Sequence, residues 1–111
     1  MPSQPEIDAD QLQSRLEGLD DLLEHRSRFA ACVLLSKNDQ LSFSRLKQLL
    51  KETDGNLGAQ LRKLEDAGYI SARKEFLERR PVTWYRLTAD GRKALLAHLD
   101  ALGRVIAHAT Q

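Results

Sequence analysis

Leucines recur at helical spacing through most of the chain, with polar residues between them. Within residues 53–68, Leu57, Leu61 and Leu64 fall at i, i+4 and i+7, so they share one face of a helix. Gly68 follows them as a left-handed C-terminal stop. An earlier leucine stripe, at positions 46, 49 and 50, predicts a helix that begins after Ser42 and ends near residue 51. The pattern therefore predicts two helices joined by a compact turn.

Two short segments after Gly68 are rich in strand-forming residues. Residues 69–74 and 82–87 predict an antiparallel pair whose tip spans residues 76–81 and carries Arg79 and Arg80. Tyr85 and Leu87 are expected on the buried face of this hairpin. Thr88 is the expected N-cap of a last helix, just as Thr53 is the expected N-cap of the helix over residues 53–68.

Apolar residues at alternating spacings of four and three flank this central unit, in residues 7–23 and again after residue 88. Such spacing is typical of a coiled-coil seam. We therefore expect a dimer interface made by Leu12, Leu16, Leu19, Leu95, Leu99, Leu102 and Ile106. The alternative, that each of these helices packs on its own domain, stays open at this point.

The element order predicts a mainly α fold with a small β-hairpin wing (α+β): a winged helix-turn-helix with long N- and C-terminal dimerisation helices. We expect one domain over residues 1–111. It consists of an N-terminal arm over residues 1–24, a winged-helix core over residues 25–87 and a C-terminal helix over residues 88–111.

Charge is unevenly distributed, although the net charge is only +1. Residues 1–43 carry four Lys/Arg against eight Asp/Glu, whereas residues 44–86 carry ten against six. The positive excess thus coincides with the helix-turn-helix and hairpin. This asymmetry favours a surface that faces DNA.

Other classes of function find little support. The single cysteine, Cys32, excludes an internal disulfide and is interpreted as packing in a reducing cytoplasm. His25, His98 and His108 lack metal-ligand spacing, so no metal or cofactor is expected. There is no nucleophile–base pair or phosphate loop, and we expect no enzymatic activity. No apolar run reaches the length of a membrane span, and residues 1–6 lack the pattern of a signal peptide.

Residues 41–50, 53–58, 61–70 and 79–92 together resemble small winged-helix transcriptional regulators of the MarR and ArsR types. The resemblance covers residues 22–100. It implies a homodimer that binds a near-palindromic operator in double-stranded DNA, with the terminal helices forming the dimer contact. From the family alone, the protein is expected to act as a repressor. An unidentified small-molecule effector is left open.

Helical geometry identifies the residues expected to contact DNA. The leucine face of the 53–68 helix leaves Asn56, Ala59, Arg62 and Lys63 pointing outward, with Gln60 at the edge. Amides can pair with adenine edges, and Arg or Lys with guanine or phosphate. The full set expected to bind DNA is Ser44, Arg45, Thr53, Asn56, Ala59, Gln60, Arg62, Lys63, Lys74, Arg79 and Arg80.

One departure from the family pattern keeps a second interpretation open. Gly58 and Ala59 stand where similar proteins often have serine and a larger polar or basic residue, which removes side chains that could read bases. Sequence discrimination is then weak or depends on DNA shape. The alternative function is a winged-helix protein-interaction module with weak or no DNA binding.

Overall fold

The computed structural model describes residues 4–110, with side chains from Asp8 onward. Residues 1–3 and 111, at the ends of the predicted arm and last helix, lie outside it. The elements in chain order are α1 (Gln4–Leu16), a one-turn 3-10 helix (Asp21–Glu24), α2 (Arg26–Lys37), β1 (Leu41–Ser42), α3 (Phe43–Leu50), α4 (Asp54–Asp66), β2 (Ile70–Leu77), β3 (Arg80–Leu87) and α5 (Ala89–Ala109). The predicted α+β winged-helix fold is confirmed.

The side chains predicted to cap the helices do so. The hydroxyl of Ser42 accepts the backbone N–H of Arg45 at the start of α3, over 3.1 Å. Thr53 and Thr88 cap α4 and α5 in the same way. Each cap satisfies a backbone donor that has no partner within its helix. At the other end of α4, Gly68 has a φ of +80°, the left-handed stop predicted for it.

The sheet has three antiparallel strands in the order β1-β3-β2. Tyr85, at the centre of β3, lies opposite Leu41 on one side and Ala72 on the other. It is buried and packs with Ile70 against the helices, as its predicted face requires. The two-residue strand β1 thus connects the start of α3 to the base of the hairpin.

One hydrophobic core joins the helix-turn-helix to the sheet and to α5. Its buried members are Leu23, Ala31, Cys32, Leu35, Leu46, Leu57, Leu61, Leu64, Ile70, Tyr85 and Leu95. The three leucines of α4 are fully buried, as their spacing predicts. In α2, Ala31 and Leu35 are buried, whereas Phe29, Ala30, Val33 and Leu34 are only partly buried. A low amphipathic contrast in that helix left its buried face ambiguous.

The N-terminal leucine run does not form one helix over residues 7–23. The first helix ends at Leu16, and a turn containing Gly18 separates it from the 3-10 helix. Leu23 consequently belongs to the core and not to a continuous seam. Glycine disfavours the helix interior by about 1 kcal/mol relative to alanine, which explains the break.

The hairpin is longer and its turn tighter than predicted. Phe76 pairs with Pro81 and Leu77 with Arg80, so the predicted 76–81 tip shrinks to Glu78 and Arg79. Both turn residues have positive φ, 51° and 68°. Two positive values are what a type I′ hairpin turn needs, and Asn-Gly usually supplies them. The Glu-Arg sequence gives no such signal.

Gly91 fixes the junction between the hairpin and α5. A Cβ at this position would lie 2.0 Å from the carbonyl oxygen of Tyr69, so only glycine fits. The same oxygen accepts the backbone N–H of Thr88 over 3.0 Å. The base of β2 and the first turn of α5 are therefore locked together.

Candidate nucleic-acid interface

The turn between α3 and α4 is stabilised by local contacts. Lys51 ends α3 in the left-handed conformation, with a φ of 55°. An exposed ion pair of 2.8 Å between Lys47 and Asp54 connects α3 to the first turn of α4. Asp54 also lies at the positive end of the helix dipole, where a carboxylate is favourable. These contacts hold the two helices at a set angle and leave one flank of α4 facing outward.

That flank carries most of the side chains predicted to meet DNA. Asn56, Ala59, Arg62 and Lys63 are all exposed, and Thr53 is exposed at the start of the helix. Ser44 and Arg45 lie exposed on the first turn of α3. Exposure is what the leucine pattern predicts for these residues. Their contact with DNA stays a prediction.

Gln60, which the sequence places at the edge of the leucine face, is buried and not available on the outward flank. The residue is only 8% exposed. Its side-chain oxygen accepts a hydrogen bond from Nη1 of Arg28, on α2, over 2.6 Å. Its amide nitrogen donates to Oδ1 of Asn56 over 3.4 Å. Because Gln60 lies at the edge of the leucine face, helix α2 covers its side chain.

Asn56 is exposed but already has partners within the protein. Besides accepting from Gln60, it donates through Nδ2 to Oε2 of Glu52. The other oxygen of Glu52 accepts the hydroxyl of Ser27, on α2, over 3.0 Å. The sequence gave no sign of this role for Glu52 or Arg28, because the bonded residues are far apart along the chain. Ser27 and Glu52 are separated by 25 positions, and Arg28 and Gln60 by 32.

The two glycines of α4 have no packing reason within the chain. A Cβ built at Gly55 or Gly58 would meet nothing within 4 Å. Close packing against the preceding helix therefore does not explain either glycine. What remains is a shallow strip on the outward flank, bounded by Asn56 and Arg62.

One cation of the hairpin lies beside this flank, and two more lie at the hairpin tip. Lys74, Arg79 and Arg80 are exposed. Lys74 lies with Arg62 around one surface cleft of about 380 Å³, which connects the wing to α4. Arg79 stands at the turn itself and Arg80 next to it in β3. The structure thus brings Lys74 of the wing beside Arg62 of the recognition helix, and it exposes Arg79 and Arg80 at the far end of the hairpin.

The cations predicted to meet DNA on α4 and the wing form no close ion pairs in the described part of the chain, although the carboxylates of Glu65 and Asp66 line the same cleft as Arg62 and Lys74. Among the described residues, Arg62, Lys63, Lys74, Arg79 and Arg80 form no salt bridge. Glu75 lies on the other face of the hairpin, where it accepts hydrogen bonds from Arg73 over 2.5 Å and from the Trp84 indole over 2.8 Å. Those bonds lower the pKa of Glu75. It is therefore held ionised, with its charge paired to Arg73 and directed away from Lys74.

The exposed apolar face of α5 differs from the predicted seam at its first position. Leu95 is only 2% exposed and belongs to the core, so its predicted place in a dimer interface is wrong. The exposed apolar residues of α5 are instead Leu96 (60%), Leu99 (41%) and Ile106 (62%). Leu96 was not predicted. Leu95 and Leu96 are adjacent, and only one of them can face the core. The periodicity of the sequence does not decide which of the two it is.

The other seam residues pack within the chain to different degrees. Helix α1 lies against α5, and the guanidinium of Arg15 donates to the carbonyl oxygen of Arg104 over 2.9 Å. Leu12, Leu19 and Leu102 are half-buried, whereas Leu16 is exposed. The open alternative, that these helices pack on their own domain, therefore holds for part of the seam.

Cys32 and His98, for which the sequence predicted no functional role, are both buried and pack in the interior. Cys32 is fully buried, and burial together with Asp20 raises the pKa of its thiol to about 12. His98 is buried, accepts the backbone N–H of Asp20 over 3.0 Å and packs edge-on against Phe29. Among the side chains described, those of residues 8–110, no three His, Cys, Asp or Glu are grouped to hold a metal. Within that range no helix is both long and apolar enough to cross a membrane.

Comparison with known proteins agrees with this geometry. The model of the winged helix DNA-binding domain family matches residues 27–106. An uncharacterized protein of Methanocaldococcus jannaschii is 36% identical over 67 residues, which is 60% of this chain and 73% of that protein.

Solved structures share the fold. A transcriptional regulator homologue from Pyrococcus horikoshii OT3 superposes with a TM-score of 0.74 at 24% identity, covering 90% of this chain and 94% of that one. MarR gives 0.68 at 18% identity (95% and 78%), and NadR in complex with 4-hydroxyphenylacetate gives 0.55 at 25% identity (91% and 67%). The architecture is therefore MarR-like, and the chain belongs to the winged helix DNA-binding domain family.

Proposed function

We propose that the protein is a homodimeric repressor that binds a near-palindromic operator and occupies promoter DNA in the cytoplasm. Its membership of the winged helix DNA-binding domain family supports a transcriptional regulator. The observation that carries the finer proposal is the set of exposed cations on α4 and the wing, Arg62, Lys63, Lys74, Arg79 and Arg80. These side chains are not covered by the described part of the chain, and they form no salt bridge there.

In this proposal α4 enters the major groove by its outward flank. Asn56 and Ala59, near its N-terminus, approach the base edges, and Arg62 and Lys63 reach guanine or phosphate. Gly55 and Gly58 let the helix approach the duplex closely. Arg79 and Arg80 extend from the wing to the adjacent backbone or minor groove, while Ser44 and Arg45 contact phosphates.

Dimerisation in this proposal uses the exposed face of α5. Leu96, Leu99 and Ile106 lie at i, i+3 and i+10, and Gly103 between them has open space above it. Two copies packed by this face bury the stripe. A two-fold arrangement also places two α4 helices at successive major grooves, about 34 Å apart.

A small-molecule effector is the least constrained part of the proposal. The solved NadR complex contains 4-hydroxyphenylacetate, and its chain is 25% identical to this one. We extend effector binding to this protein by that similarity. The measurement is DNA affinity with and without 4-hydroxyphenylacetate as the probe; a change in affinity supports it and none argues against this ligand.

The alternative function is a protein-interaction module that keeps the fold without strong DNA binding. Gly55, Gly58 and Ala59 favour it, because they leave few side chains on α4 to read bases. The net charge of +1 also limits long-range attraction to DNA.

Fluorescence anisotropy on mixed genomic DNA fragments separates the two functions. A DNA-binding regulator binds these fragments with an affinity that falls steeply between about 50 and 200 mM salt. The double variant Arg62→Ala/Lys63→Ala is expected to weaken binding, whereas Arg92→Ala/Lys93→Ala, which removes two exposed cations of α5, serves as the matched control. Absence of binding at either salt concentration favours the interaction module.

A further inference from the structure

Asn56 closes a ring of hydrogen bonds that begins and ends on α2. Arg28 donates to Gln60, Gln60 donates to Asn56, Asn56 donates to Glu52, and Glu52 accepts from Ser27. Ser27 and Arg28 are neighbours in α2. We call the four side chains Arg28, Gln60, Asn56 and Glu52 the amide relay. It ties the most exposed amide of the recognition helix to a helix in the core.

The relay has only one self-consistent direction. A guanidinium can only donate, so Gln60 must turn its oxygen to Arg28 and its nitrogen to Asn56. An ionised carboxylate can only accept, so Asn56 must turn its nitrogen to Glu52. Arg28 and Glu52, at the two ends of the relay, thus fix the orientation of both amides. Neither amide can flip without breaking two hydrogen bonds.

The bonds that Asn56 makes determine what it can still offer. A carboxamide has two N–H donors and two acceptor lone pairs. The relay uses one donor and one lone pair, leaving one of each on adjacent atoms of an exposed side chain. Adenine presents N7 as an acceptor and N6 as a donor in the major groove, whereas guanine presents two acceptors. The remaining groups match adenine.

We propose that Arg28, Gln60 and Glu52 are positioning residues that hold Asn56 ready to read adenine in the major groove. The inference rests on the proposed DNA-binding function and deepens it. Arg28 is itself held in place, because its Nε donates to the carbonyl oxygen of Leu22 over 2.6 Å. Specificity therefore arises from α2 as well as from the exposed flank, and it partly compensates for the small residues at 58 and 59.

The test begins with a duplex selected by the wild-type protein from a random-sequence pool. Each adenine of the selected site is replaced in turn by 7-deazaadenine, which lacks the N7 acceptor. At one adenine in each half-site, this replacement should weaken binding of the duplex roughly 5- to 150-fold. That range corresponds to the loss of one good hydrogen-bonded pairing with a base. Asn56→Ala should bind the natural and the modified duplex equally.

Two variants address the relay itself. Glu52→Gln replaces a pure acceptor by a group that can turn either way, so the preference for adenine over 7-deazaadenine should fall. Its affinity for mixed genomic DNA should rise, because one negative charge is removed. Glu65→Gln makes the same charge change at an exposed position of α4 and should leave the preference intact. A folding defect would lower both quantities together.

Gln60→Glu keeps an acceptor for Arg28 but cannot donate to Asn56. It should retain the wild-type melting temperature and lose most of the adenine preference. An unchanged preference in both Glu52→Gln and Gln60→Glu overturns the relay, as does a selected site without any sensitive adenine. In both cases salt-dependent binding to mixed DNA persists, so the proposed function stands. If the wild-type protein binds no DNA, both the relay and the proposed function are overturned.

Discussion

The hydroxyl of Tyr69 donates a hydrogen bond of 2.5 Å to Oδ2 of Asp20. The bond joins the start of the wing to the turn before α2, across 49 positions of sequence. It is the largest cause, ahead of burial, of a rise in the pKa of Tyr69 from 10.0 to about 12. The neutral phenol is therefore favoured by folding.

The first prediction is a loss of stability in alkali. The contribution of Tyr69 is fully present below pH 10, its unfolded value, and is lost as the pH rises from 10 to about 12. Tyr69→Phe should cost about 1.5–3 kcal/mol at neutral pH, as for a hydrogen bond to a charged group. It should also make the alkaline decline shallower, in urea unfolding between about pH 7 and 12.

The buried thiol of Cys32 provides the comparison. Its pKa is also raised to about 12, from 9.0, so it contributes a separate decline that Tyr69→Phe leaves in place. Cys32→Ala should remove that decline and also reduce slightly the contribution of Tyr69, because the thiol is the last of the four causes that raise the Tyr69 pKa. An alkaline slope in Tyr69→Phe that equals the wild-type slope would contradict the assigned role of the Asp20 bond.

The second prediction contrasts two glycines. Gly58→Ala should stabilise the protein by about 1 kcal/mol, because nothing lies within 4 Å of the added methyl group and alanine is the better helix former. Gly91→Ala should destabilise it by about 1–3 kcal/mol, since the methyl group meets the Tyr69 carbonyl. Thermal unfolding measures both. A destabilised Gly58→Ala would show that the recognition helix needs this glycine for its own packing.

The third prediction concerns the wing. Arg79→Ala/Arg80→Ala should weaken binding to mixed DNA and reduce the slope of log affinity against log salt by about 0.9 for each phosphate that the wing no longer neutralises. Both side chains are exposed, so the melting temperature should change little. Lys37→Ala/Arg26→Ala, two exposed cations of α2, is the control. A slope equal to that of the wild type removes the wing from the DNA contact.

The fourth prediction separates the dimer face from the core. Leu96→Asp/Ile106→Asp should leave the protein folded and monomeric, because both side chains are exposed in the single chain. Leu95→Ala should cost about 2–5 kcal/mol of stability and leave assembly unchanged, since Leu95 lies in the core. Sedimentation velocity and thermal unfolding measure the two effects. A dimer in the double aspartate variant would exclude this face of α5.

Features set by local chemistry were predictable from the sequence. Ser42, Thr53 and Thr88 cap their helices through side chains that meet backbone groups three residues away. The α4 leucines define a buried face because their spacing and the helical period coincide. The fold and most of the exposed flank follow from these two kinds of signal.

Features that depend on tertiary contacts were not predictable. Gln60 lies at the margin of a face, and only the position of Arg28 decides that it is buried. Leu95 and Leu96 are adjacent leucines, and only the packing of α5 on the core decides which of them faces out. The two-residue wing turn contains no glycine, so the sequence did not indicate where the turn lies or how β2 and β3 pair beside it.

The close fit of Gly91 over the Tyr69 carbonyl has a mechanical consequence. With no space for a side chain and with Thr88 bonded to the same oxygen, the joint between wing and last helix cannot bend without disrupting this packing. We therefore expect the base of the wing and the last helix to move together. In a two-fold assembly, a small change in the angle between the paired helices would alter the distance between the two hairpin turns.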